Sequence, residues 1–220
     1  MSEVKEEVKV TEAKRETWDI NIFGLIKEED IRATCSLIRA NKDRLPVTVY
    51  IASNGGNVSA GLVILDVLES LNVPVTWIFQ GFSASMAVSI AQNFNQLRLA
   101  YPHSRLMCHD FSFTVSGRMI ELENQKLLSN ETEVEMIDRY AKVVGMSHKE
   151  VKKKLFDVDV LMNTETALNL GENGLIDGII YSDFGDGVYL CKTRHGLKVI
   201  DTFIHTPADL VNLPDYKVEK

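Results

Sequence analysis

Paired cysteines, a basic patch, a long apolar run and an export signal are all missing from this chain of 220 residues. Its three cysteines, Cys35, Cys108 and Cys191, stand far apart, and none belongs to a C-x-x-C pair. An odd, dispersed set offers no disulfide framework, zinc knuckle or thioredoxin-type redox site, and it fits a reducing compartment. No stretch reaches the about 18 consecutive apolar residues that mark a membrane span. The opening MSEVKEEVKVTEAKRE alternates acids and bases where a secretory signal would have an apolar core. Lys and Arg number 24 against 31 Asp and Glu, for a formal charge of −7. That balance gives no general attraction to nucleic acid or anionic lipid. The glycine-rich stretch Asn54-Gly55-Gly56-Asn57 lacks a P-loop lysine and G-x-G-x-x-G spacing, so nucleotide binding is not expected. A soluble, cytoplasmic protein without cofactor, metal, nucleic-acid or membrane partner is the expectation.

What is present reads as one α/β domain, since 45% of the residues are hydrophobic at a length that suits a single core. Residues 1–16 read as a flexible charged tail, 17–180 as the main domain and 181–220 as an extension of it. The run VTVYIAS (47–53) is β-branched and nearly all apolar, the mark of a strand buried on both faces. VPVTWIF (73–79) is a second such strand, and LRLAY (97–101) and RLMCH (105–109) are shorter ones. Residues 28–41 and 60–71 have helical spacing, and Ser85 opens a further helix through SMAVSIAQNF. Strand, helix, strand, helix in this order implies right-handed crossovers and a largely parallel sheet. From Met119 to Val144 the periodicity is helical but too polar for a core helix, so this segment should project from the body or pack against another subunit. Gly145 ends it, and Ser147-x-x-Glu150 resembles a capping box. A short helix near 164–170 leads to GLIDGII as a last strand of the main sheet. In the extension, Asp186-Gly187 and His195-Gly196 mark the turns of a hairpin.

Ser85 is the candidate for chemistry. A serine hydroxyl needs a base within hydrogen-bond reach and donors aimed at the developing oxyanion. At a turn between small residues and a helix N-terminus, the N–H of Met86 is one available donor. The Gly55-Gly56 pair, at the end of the preceding strand, is a source for the second. G-x-S-x-S alone is a weak signal.

The runs IASNGGNVSAGLVILDVLESLNVPVTW, GFSASMA, YPHSRLMCHD and GLIDGII together resemble the Clp protease proteolytic subunit over residues 20–180. That family has an S-P-G-G strand end, a G-x-A-A-S-M-G turn, a P-N-S-R-x-M-x-H segment and a late R-D-R-F segment, all with counterparts here in the same order. The resemblance implies a ClpP/crotonase-like βαβ spiral fold of the α/β class with a protruding handle helix at 119–144. It implies Ser85 as nucleophile, His109 as general base, and the N–H groups of Gly56 and Met86 as the oxyanion hole. The third member falls in FDVDVLMN, where Asp159 holds the place of the family's acid and Asp157 is its rival. On a strand the two would point the same way, so alternation does not separate them. The implied function is a serine endopeptidase working through an acyl-enzyme inside a ring-forming homo-oligomer, in two stacked rings. An AAA+ unfoldase partner would hydrolyse any ATP and feed unfolded protein.

The chain departs from the family pattern at Asn54, Phe82, Ser83, Asp110, Phe111, Val158 and Val160. The departures describe a divergent, viral or specialised member. A catalytically silent subunit and a phage head-maturation protease therefore stand as alternatives. A signal-peptide peptidase would need a lysine base, and a hydratase relative would leave Ser85 without a task. Ser83 reads as a packing serine, and His103, His148, His195 and His205 as solvated turn or surface residues. Asp183-Phe184-Gly185 has no kinase loops around it.

Overall fold

The computed structural model describes residues 15–110 and 117–217. The expected tail falls outside them except for its last two residues. There Arg15 pairs with Asp201 and lies over the Phe203 ring, 5.2 Å from its centroid.

The main sheet has seven strands in the order β1 (Trp18–Ile26), β2 (Val47–Gly56), β3 (Val75–Phe79), β5 (Leu97–Ala100), β8 (Gly178–Asp183), β9 (Val188–Thr193) and β10 (Gly196–Asp201). Its first five strands pair in parallel. A second sheet holds β4 (Phe82–Ala84), β6 (Arg105–Cys108) and β7 (Val160–Asn163). The α/β class expected from the strand–helix alternation is the class observed. α1 (Ile31–Arg39) and α2 (Val58–Ser70) make the crossovers between parallel strands, and the Asn57 side chain caps α2 by accepting from the Ala60 N–H at 2.8 Å.

Every residue of β3 is buried. Alternation along it places Trp77 and Phe79 in the principal core and Ile78 in a second cluster. That second cluster joins Leu97 and Leu99 to Tyr189, Cys191, Ile200 and Leu210. The C-terminal segment therefore covers a face of the sheet. GLIDGII does not end that sheet: β9 and β10 continue it in antiparallel pairing, and the two expected turns lie at their ends. A lone hairpin is marginal in water, and joining an existing edge satisfies its backbone at once.

The helix expected after Ser85 is one turn, α3 (Met86–Ser89), because the chain must reverse and enter β5 at Leu97. α4 spans Met119–Val144, as the periodicity predicts, and its buried residues begin only at Met136. Gly145 closes it at φ 66°, in the left-handed region. Ser147 and Glu150 form the capping box of α5 (His148–Val151), followed by a π-helical turn at Lys152–Phe156. α6 (Thr164–Leu168) follows β7. Just before β8, Asp177 accepts from N, Nε and Nη2 of Arg98 on β5 at 2.8, 3.0 and 2.5 Å, an ion pair hidden from solvent.

Candidate active site

Three strands bring the expected residues to one end of the smaller sheet. β4 and β6 run parallel with Ala84 opposite Met107, so both end on the same side, the first into Ser85 and the second into His109. β7 is antiparallel to β6, with Arg105 opposite Asn163 and Cys108 opposite Val160, so it begins on that side. One further step of this register sets His109 across from Asp159. Asp157 lies two residues back, in the bend after the π-helical turn. Neither carboxylate is inside the strand, so the ambiguity of strand alternation does not arise. Ser85 and His109 are half-buried, and both aspartates are exposed.

Ser85 has φ 57° and ψ −130°, a conformation that a side-chain-bearing residue seldom adopts. Its N–H donates to Met107 O at 2.9 Å, and its carbonyl accepts from Val88 N and Ser89 N at 2.9 and 3.1 Å. The residue is thus tied to β6 on one side and to α3 on the other. Ser83 is buried, and its hydroxyl donates to Ile51 O at 3.2 Å, a packing role.

The glycine pair ends β2 beside this turn. A Cβ on Gly55 would lie 2.7 Å from Ser85 Cβ and 2.9 Å from Met86 N, so only glycine permits that approach. Both members of the glycine pair expected at this strand end lie at the site, Gly55 as the close-approach position beside Ser85. Gly56 sits opposite Ile26 of β1, and Asn57 N donates to Ile26 O at 2.8 Å. In a parallel ladder this makes Ile26 the bonded partner, and Gly56 turns its own N–H away from β1. Met86 is the first residue of α3, where N–H groups have no intrahelical acceptor.

Beside His109, burial pushes the Cys108 thiol up to about 12, with the Tyr140 hydroxyl pulling it slightly back. It stays protonated and is no rival nucleophile near neutral pH. The other histidines lie elsewhere: His103 is an exposed turn residue, His148 pairs with Asp138 at 3.1 Å, and His205 accepts from Asp201 N at 3.0 Å. His195 lies in the β9–β10 turn. Among the described residues no three His, Cys, Asp or Glu side chains gather as metal ligands, and no helix is long and apolar enough to cross a membrane.

The family model for Clp protease matches residues 8–183. The chain belongs to the Clp protease family. ATP-dependent Clp protease proteolytic subunit 2 of Prochlorococcus marinus (strain MIT 9312) is 35% identical over 139 residues, 61% of this chain and 66% of that relative. Subunit 3 of Synechococcus sp. (strain CC9605) is 36% identical over 140 residues, with the same two coverages. The chain thus spans just under two thirds of the length of these Clp relatives. β9, β10 and the segment after them lie beyond the stretch that the family model matches.

Proposed function

We propose that this chain is the peptidase subunit of a Clp-type serine protease, with Ser85, His109 and Asp159 as its triad. The observation that supports this most is the convergence of β4, β6 and β7 on one sheet end, with the strained Ser85 among them. His109 takes the Ser85 hydroxyl proton as Oγ attacks the scissile carbonyl, then gives it to the leaving amine. Asp159 holds the imidazole in the correct tautomer and stabilises the imidazolium. Gly56 and Met86 N–H groups receive the oxyanion, and water then hydrolyses the acyl-enzyme through the same base.

The relatives' names, ATP-dependent Clp protease proteolytic subunits, support a partner that uses ATP. A ring-forming homo-oligomer is the proposed assembly. The exposed Met119, Ile120, Leu127 and Leu128 on the outer half of α4 suit burial against other copies.

The test is covalent labelling of the purified oligomer with a fluorophosphonate, read by intact mass beside Ser85→Ala. One adduct per wild-type chain and none on the variant is the expected result. No adduct on the wild type, under conditions that label a related peptidase, would leave the silent-subunit reading instead. Native mass spectrometry of the same sample gives the ring number.

A further inference from the structure

Behind the proposed nucleophile lies a chain of buried hydroxyls and a thiol that the triad does not use. Ser89 Oγ, on α3, donates to the carbonyl of Ser85 at 3.3 Å. The Tyr140 hydroxyl, from the inner half of α4, lies 3.1 Å from Ser89 Oγ, and Cys108 Sγ lies 3.8 Å beyond it. All three are shielded from water, with Tyr140 1%, Cys108 3% and Ser89 6% exposed. The Tyr140 ring is held edge-on against Phe156 at a centroid distance of 5.4 Å.

The chemistry of the end groups sets the direction of the chain. A carbonyl oxygen can only accept, so Ser89 gives its single proton to Ser85 O. Tyr140 must then donate to Ser89, which leaves its oxygen free to accept from the Cys108 thiol. Each donor is used once, and no group needs a charge. Burial raises the pKa of both Tyr140 and Cys108, which keeps both protonated.

This chain begins one residue before the proposed base and ends on the backbone of the proposed nucleophile. It spans β6, α4 and α3, so it fixes the relative positions of elements far apart in sequence. A strained φ at Ser85 persists only where its surroundings over-determine it. We infer that Tyr140 and Ser89 are positioning residues, which hold the Ser85 turn against the His109 strand through the Cys108–Tyr140–Ser89–Ser85 chain. The inference rests on the reading of Ser85 and His109 as nucleophile and base. Tyr140 touches no reacting atom and acts only through this chain.

The experiment uses the full chain in its assembled form, as wild type, Tyr140→Phe, Ser89→Ala and the double variant. It measures the fluorophosphonate labelling rate, and kcat and KM on a fluorogenic peptide. Each single change should slow labelling and kcat by roughly tenfold with KM unchanged, since a small misplacement of the nucleophile acts on the chemical step. The double variant should be no slower than the slower single, because both break one chain. Wild-type rates in the singles, losses that multiply, or a change confined to KM would overturn the inference. Should Tyr140→Phe fail to fold, Ser89→Ala and Ser89→Thr decide. Slow labelling with Ala that Thr restores supports the role, and equal rates in the two variants overturn it. A wild type that does not label removes the peptidase reading and this inference together, whereas a labelling wild type with indifferent variants removes the positioning role alone.

Discussion

Ser85 occupies a backbone region that other residues avoid, and its neighbours are chosen to allow it. Gly55, at φ 82°, is the clearest of these, because any side chain there would meet Ala84 O at 2.6 Å as well as Ser85. Gly55→Ala should therefore displace the turn. The expected loss is about 100-fold or more in labelling rate, with destabilisation of about 1–3 kcal/mol for the strained backbone. Labelling kinetics beside urea unfolding check both. The register of β6 on β7 favours Asp159 over Asp157 as the partner of His109. On that basis Asp159→Asn should lower kcat by about 10³–10⁴-fold through the wrong imidazole tautomer. Asp157→Asn, in the bend, should stay within a few-fold of wild type. Equal losses in the two variants, measured with one peptide substrate, would refute the assignment.

At the scale of elements, α4 is two helices in one. Its inner part buries Met136, Ile137, Tyr140 and Val143, and its outer part exposes Leu127 and Leu128 at 59% and 63%. Met136→Ala should cost about 2–5 kcal/mol wherever it is measured, as for any cavity in a packed core. Leu127→Ala should change the unfolding energy of a separated subunit by less than about 0.5 kcal/mol. Its effect should appear instead as weaker assembly in analytical ultracentrifugation. Tyr140 sits on the inner half, so the same helix that carries the proposed assembly surface also contacts Ser89 behind the Ser85 turn.

Across the whole molecule, the sheet is tied together by buried polar groups whose partners are matched. Asp177→Ala would leave the Arg98 guanidinium, 1% exposed, without its carboxylate. A buried charge stripped of its partner costs about 3–5 kcal/mol, and thermal unfolding should show it. The pH dependence follows from protons the folded state retains. The Cys108 thiol ionises at about 12 when folded against 9.0 as a free side chain, and Tyr140 and Cys191 are raised in the same direction. The unfolded chain therefore loses these protons first, and stability that is intact below pH 9.0 falls as the pH climbs toward 12. Urea midpoints across that range should decline, and Cys108→Ala should flatten part of the decline.

Local pattern was enough for the buried parallel strands, the crossovers, the 26 residues of α4 and its glycine stop, because periodicity and capping depend only on near neighbours. Ser85 was a candidate from its small-residue turn at a helix start. His109 and the acidic segment became candidates only through the resemblance of their runs to the Clp family. β4 escaped notice, since Phe82-Ser83-Ala84 is too short and too small to show a pattern and is a strand only because β6 pairs with it. The reach of β9 and β10 into the main sheet depended likewise on an edge that β8 supplies. Register is a relation between segments distant in sequence, so the β6–β7 pairing alone brings the His109 and Asp159 ends of those strands to one side. The packing of α4 brings Tyr140 to Ser89. Which residues are candidates for chemistry was legible along the chain, and which strand ends come together was decided by pairing and packing.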